Sequence, residues 1–179
     1  MGLFQWAAIS EIENVLKKRN IKLNYSNEIQ MVDNFLPIFE MNNQIKNRNE
    51  KTINKKINKI KNDINNKRNK VLKKIWLKRY FTKIMSTKYL SENGMEKLKY
   101  LDTEFIVNND CNGCGICRNV CPMKNITGIK KPEYLNKCEF CLACIHHCSK
   151  NALHLKNERS NARYINPNIK LSEIINANN

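Results

Sequence analysis

Apolar side chains recur at helical spacing near the start of the chain. Trp6, Ile9, Ile12, Val15 and Leu16 share one face, and Lys17, Lys18 and Arg19 close the stretch where cations favour a helix dipole, so residues 4–19 are expected to be helical. The period then changes to two. Ile21, Leu23 and Tyr25 alternate with polar residues, which predicts a strand within 21–32, and a loop with Asn34 and Pro37 follows among Phe35, Leu36, Ile38 and Phe39. A helix, a strand and an apolar loop are a piece of an α/β layer too small to cover its own sheet. Residues 1–40 are therefore expected to leave apolar surface exposed.

Residues 44–70 are polar apart from a thin stripe of Ile45, Ile53, Ile57, Ile60, Ile64 and Val71, the pattern of one long helix lying along a neighbour or pairing with another helix. In residues 71–85, Ile75, Trp76, Tyr80, Phe81 and Ile84 alternate with Lys73, Lys74, Lys78, Arg79 and Lys83. Such a basic amphipathic helix suits an anionic membrane surface or an acidic protein, with docking of its aromatic face on its own protein expected first. Ser91, Asn93 and Gly94 mark residues 86–102 as a linker. Short strands are expected at 104–107, 126–129 and 152–155.

Charge sharpens this division. The whole chain has 32 Lys or Arg against 16 Asp or Glu, a net +16. Residues 41–99 carry 18 of the cations against 4 acids, so the excess belongs to the middle of the chain. Much of the chain is Asn, Lys and Ile, a bias that an AT-rich genome produces without selection for basicity. Glu11 and Glu13 interrupt any secretory signal, Trp6 stands where a myristoylation signal needs Ser or Thr, and no run reaches a membrane span of about 18 apolar residues. A cytoplasmic, reducing and anaerobic setting is the expectation.

All eight cysteines lie between Cys111 and Cys148, in two copies of C-x2-C-x2-C-x3-C offset by 27 residues. Cys111, Cys114, Cys117 and Cys121 form the first, followed by Pro122; Cys138, Cys141, Cys144 and Cys148 form the second. In the bacterial iron–sulfur run of this spacing, three close cysteines hold one cubane and the fourth serves the other. The expected 4Fe-4S ligands are therefore Cys111, Cys114, Cys117 and Cys148 for one cluster, and Cys138, Cys141, Cys144 and Cys121 for its twin. Gly113 and Gly115 suit a loop curled close over a cube face. Disulfides compete poorly, because cysteines this close cannot all pair without strain. Zinc is the stronger rival, yet zinc knuckles take cysteines two by two and each half here offers three plus one. His146 and His147, between Cys144 and Cys148, read as exposed helix positions rather than proton carriers.

The run from Phe105 to Leu155, with Cys-Asn-Gly-Cys-Gly-Ile-Cys at 111–117, Cys-Pro-Met-Lys-Asn-Ile at 121–126 and Cys-Leu-Ala-Cys-Ile-His-His-Cys at 141–148, resembles the flavodoxin–ferredoxin fusion proteins of anaerobic prokaryotes. Arg163-Tyr164-Ile165-Asn166-Pro167 and Val32-Asp33-Asn34-Phe35-Leu36-Pro37 share in the resemblance. It implies an α+β chain: a partial flavodoxin-like α/β remnant at 1–40, a basic helical connector at 41–102, a ferredoxin-like two-cluster (βαβ)2 domain at 103–157 and a tail at 158–179. Residues 1–40 lack the first strand and phosphate loop of a flavodoxin, so the chain reads as truncated at its start and FMN is not expected to bind it alone. Ser149 departs from the family's Pro after the last cysteine.

The function expected is single-electron transfer through two 4Fe-4S clusters, with no catalytic residue, between redox donor and acceptor proteins that are acidic or flavin-containing. A subunit whose FMN half comes from a separate chain is a variant of this. The alternative is a metal-stabilised binding module whose basic helices hold an anionic partner. Nucleic acid is disfavoured there because no groove-reading motif is present.

Overall fold

A computed structural model describes residues 5–72 and 101–178, so nearly all of the expected basic amphipathic helix and linker lies outside the described residues. In chain order the elements are α1 (Gln5–Lys18), α2 (Met41–Lys46), α3 (Glu50–Asn65), a 3-10 turn (Leu101–Glu104), β1 (Phe105–Val107), α4 (Ile116–Asn119), β2 (Ile126–Thr127), β3 (Glu133–Tyr134), α5 (Ala143–His146), β4 (Leu153–Leu155) and α6 (Leu171–Asn178). They form two compact units, one from the described residues of 1–31 and 48–91, the other from those of 32–47 and 92–179.

In the first unit α1 forms as its periodicity predicts, with Ile12 and Val15 half exposed. The strand expected over 21–32 does not form. Tyr25 makes one isolated parallel bridge with Lys70, and polar side chains take up nearby backbone groups instead: Ser26 Oγ accepts the Leu72 N–H at 2.9 Å and Asn27 Oδ1 accepts the Glu28 N–H at 2.9 Å. Among the described residues the backbone of Asn24 and Ser26 pairs with Lys70 alone, through bonds of 2.8 and 2.9 Å, so the ladder stops at a single bridge.

The single helix expected over 44–70 is two, α2 and α3, which fall in different units. The break follows from capping. Asn49 Oδ1 accepts the Thr52 N–H at 2.9 Å and starts α3, an interaction typically worth about 1 kcal/mol. At the other end Lys67 turns left-handed (φ 50°), while its N–H reaches Ile64 O and the Arg68 N–H reaches Asp63 O, a Schellman stop. Buried Asp63 then accepts from Tyr25 Oη at 3.1 Å, with Lys59 and Arg68 at 3.5 and 3.4 Å. A carboxylate, more than an apolar seam, ties residues 24–26 to α3.

The second unit is built on the 27-residue repeat. α4 and α5 begin and end 27 residues apart, and left-handed residues recur at the same offset: Gly113 with Phe140, Gly115 with Leu142, and Lys124 with Asn151. The strands do not pair within each half as a simple βαβ reading implies. β1 pairs antiparallel with β4 (Phe105↔Leu155, Val107↔Leu153) and β2 with β3 (Ile126↔Tyr134, Thr127↔Glu133). Strands of two or three residues gain from antiparallel pairing, which is the stronger per residue. The exchange also threads the end of each half beside the start of the other.

Three further expectations change here. Leu36 and Met41, from the supposed remnant and connector, are completely buried in one core with Ile126, Leu142, Ile145, Leu153 and Leu155; Ala162 and Tyr164 of the supposed tail pack on it. Each fully buried aliphatic side chain contributes roughly 1.5–3 kcal/mol, enough to fix the 32–47 segment to this unit. Divisions at residues 40 and 157 are therefore not where the compact units separate. His146 is also buried rather than exposed. Its Nδ1 accepts the Tyr164 N–H at 3.1 Å, which leaves the proton on Nε2 to donate to Asn34 O at 2.9 Å. Burial lowers the pKa of this neutral imidazole, which clamps the 32–47 segment and the C-terminal segment to α5. His147, half-buried, instead bonds through Nδ1 to Ala143 O one turn back at 3.0 Å.

Gly128 turns β2 toward β3 at φ +83°, where a Cβ would stand 2.1 Å from Lys131 O. Gly128→Ala is expected to cost about 1–3 kcal/mol or more in a thermal melt of the metal-loaded protein. Gly115→Ala should cost less, since its Cβ would meet only the flexible end of Arg118 at 3.2 Å. Equal losses would mean that the turn is not as tight as described.

Candidate metal centre

The two loops that begin the cysteine runs reach the same backbone shape by different means. The first uses Gly113 and Gly115 at φ +71° and +74°; the second holds Phe140 and Leu142 at +53° and +60°. A left-handed residue with a Cβ costs roughly 1–2 kcal/mol. Leu142 is 2 % exposed, and Phe140 packs edge-on against Phe35 and stacks on Phe105 with ring centroids 5.7 and 5.9 Å apart. Burying such side chains contributes roughly 1.5–3 kcal/mol each, so packing outweighs the strain. The glycine signal visible in the first run is therefore absent from the second, although the geometry persists.

Each loop leads into a one-turn helix that carries the third cysteine inward. Two cavities result. One is lined by Cys111, Cys114, Cys117 and Cys148, the other by Cys121, Cys138, Cys141 and Cys144. Three sulfurs in each come from one run and the fourth from the other, which the strand exchange brings across. Cys114 and Cys141 are exposed, Cys144 is buried and the rest are half-buried.

Backbone N–H groups point at these sulfurs. Asn125 N donates to Cys121 Sγ at 3.4 Å, and 27 residues later Ala152 N donates to Cys148 Sγ at 3.2 Å; Phe140 N donates to Cys138 Sγ at 3.3 Å. Such bonds favour thiolates. Burial acts the other way: it pushes the Cys138 thiol up to about 11 and raises Cys144 and Cys117 as well, with neighbouring cysteines adding to the rise. Four thiolates in one cavity need cations among them, and iron in a cluster supplies that charge. Among the described residues no three His, Cys, Asp or Glu side chains converge tightly enough for one metal ion. Each cavity offers four cysteines, three from one run and one from the other, the number that a cubane cluster takes.

Several residues that shape the site carry no motif signal. Asn125 is 1 % exposed and holds the approach to the second run: its Oδ1 accepts the N–H groups of Leu135 (3.2 Å) and Lys137 (2.6 Å), and its Nδ2 donates to Asp102 Oδ2 at 2.9 Å. Asp102 Oδ2 also accepts the Asn136 N–H at 3.0 Å. The Tyr134 hydroxyl is buried without a hydrogen-bond partner among the described residues, at the wall of the second cavity, and desolvation raises its pKa far above the phenolic range. An Asn two residues after Pro-Met and a Tyr four residues before Cys138 are ordinary in sequence; only their burial makes them parts of a site. Ser149, expected to matter as a missing proline, places Oγ 3.9 Å from Cys114 Sγ.

The family model described as a 4Fe-4S binding domain matches residues 104–127. No curated protein and no solved structure matches the chain. The chain thus contains a ferredoxin-type iron–sulfur domain, and its mixture of short helices and small two-stranded sheets is α+β. No helix among the described residues is long and apolar enough to cross a membrane.

Proposed function

We propose that the chain is an electron carrier holding two 4Fe-4S clusters, one on Cys111, Cys114, Cys117 and Cys148, the other on Cys138, Cys141, Cys144 and Cys121. The observation that carries this reading is the pair of cavities, each walled by three cysteines of one run and the fourth of the other. When bound, such clusters accept and release single electrons at potentials set by charge, hydrogen bonds to sulfur and exposure. The chain's own part is to hold the thiolates, aim N–H groups at three of them, and exclude water from Cys144 while leaving Cys114 and Cys141 near the surface. All eight cysteines are used as ligands, so we assign no catalytic residue and no FMN to this chain alone. The donor and acceptor are redox proteins with acidic surfaces or flavin.

Val32, Phe35 and Leu36 pack into the core of the iron–sulfur unit, so the 32–37 loop is part of the scaffold that holds the cysteine runs. Purification without oxygen should give a brown protein with about eight iron and eight sulfide per chain, bleached by dithionite. A colourless protein carrying zinc would sink the reading and favour a metal-stabilised binding module.

A further inference from the structure

The two cavities repeat in backbone and in sulfur placement, but their mouths do not repeat. Arg118, Lys131 and Lys150 line the first, Lys130 stands beside them with its carbonyl 3.9 Å from Cys111 Sγ, and no carboxylate lines it. All four cations are exposed. The second cavity is lined by Glu139 and by no Lys or Arg. Asp110 and Lys137, just before each run, have the opposite signs, yet neither lines a cavity.

At the lip of the first mouth Ile129 is 85 % exposed, the most exposed large hydrophobic side chain among the described residues. It is rigidly presented. Gly128 makes the turn, the Ile129 carbonyl lies where only a residue without Cβ fits at Gly113, and Arg118 Nη1 donates to Gly128 O at 3.5 Å. An apolar tip beside three lining cations, with Glu133 behind the Gly128 turn as the acid nearest to it, has the anatomy of a protein-docking surface, an anchor with a mostly positive rim. Cys114 is exposed at this mouth, as its counterpart Cys141 is at the other, so access to sulfur is alike and the charge of the rim sets the two apart. Ser149 Oγ faces Cys114 Sγ there, whereas the residue at the matching position of the other half, Pro122, has no donor. A hydroxyl hydrogen bond and nearby cations both stabilise a more negative, reduced centre.

Building on the two-cluster reading, we propose that the mouth of the first cavity is the electron port of this protein, docking a redox protein whose own centre is rimmed by carboxylates, and that the cluster behind it is the more readily reduced of the two. The exchange is one electron: the partner is oxidised by one, the cluster is reduced by one, and no bond or proton moves. No aromatic side chain lines the first cavity to stack a base, so nucleic acid fits this mouth less well.

The test uses the full chain with its clusters. Iron, sulfide and the visible spectrum come first; their absence would defeat the carrier reading itself and is a separate outcome. With clusters present, an acidic two-iron ferredoxin in its reduced form serves as donor in stopped-flow experiments at low and high salt. Lys131→Glu with Lys150→Glu should slow the reaction about tenfold or more at low salt and abolish its salt dependence. Lys46→Glu with Lys170→Glu, which changes the charge equally at exposed positions that line neither cavity, should leave the rate within about twofold. In an EPR-monitored titration Ser149→Ala should lower the higher midpoint potential and leave the lower one. Equal slowing by both charge reversals, no slowing by either, an unmoved higher potential, or duplex DNA shielding the face as effectively as an acidic protein would overturn the proposal.

Discussion

Replacing Cys111 and Cys148 together by Ala is expected to leave one iron–sulfur centre intact, while replacing Cys111 and Cys121 together is expected to leave none. The two pairs delete the same number of sulfurs and differ only in which cavities they damage. Cys111 and Cys148 line one cavity, so the second loss falls on a centre already broken; Cys121 lines the other. Anaerobically purified, the first variant should carry about four iron per chain and a single reduced-state EPR signal, the second close to zero. Ligation run by run would reverse the two results. Because metal binding and folding are coupled in small sites, each value is lowered by partial unfolding, and the comparison between the variants carries the conclusion.

Asn125→Leu should destabilise the approach to the second run. The side chain is nearly isosteric, so packing is kept while three hydrogen bonds vanish. Two backbone N–H groups, of Leu135 and Lys137, lose their acceptor Oδ1, and the buried Asp102 carboxylate loses a donor. Leu135 N retains a 3.0 Å bond to the residue 125 carbonyl and Asp102 Oδ2 retains the Asn136 N–H at 3.0 Å, so the orphaned group that counts is Lys137 N. At about 1–3 kcal/mol for a group left unsatisfied, the expected loss is roughly 1–3 kcal/mol. Residues 135–137 lead directly into Cys138, so the cluster of the second run should bleach first in denaturant when absorbance is followed anaerobically. A midpoint shift worth less than about 0.5 kcal/mol would show that the network contributes nothing beyond packing.

The repeat in the cysteines carried most of what was legible in the chain. Spacing alone marks eight candidate ligands, sets the two halves at an offset of 27, and leads to an expectation of three plus one in each. Periodicity located α1 closely, and the halves implied by the cysteine repeat located β1 and β4. Where periodicity failed, long-range and polar contacts decided: Asn49 capped a helix in the middle of an apolar stripe, Asn27 took the Glu28 N–H, and among the described residues only one bridge, to Lys70, formed in the stretch whose alternation predicts a strand. An Asn at a cap and an Asn on a helix surface look alike in a hydropathy pattern.

By itself, then, the sequence determined the iron–sulfur character of this protein, because ligand type and local spacing are properties of a few consecutive residues. Tertiary structure decided which strands pair and hence how the fourth sulfurs cross. It decided that Leu36, Met41 and Tyr164 belong to the iron–sulfur unit, that His146 is a buried clamp, and that the cations surround only one of two similar mouths. Burial and charge neighbourhood are sums over contacts far apart in the chain. A local pattern holds no record of them until the chain has folded.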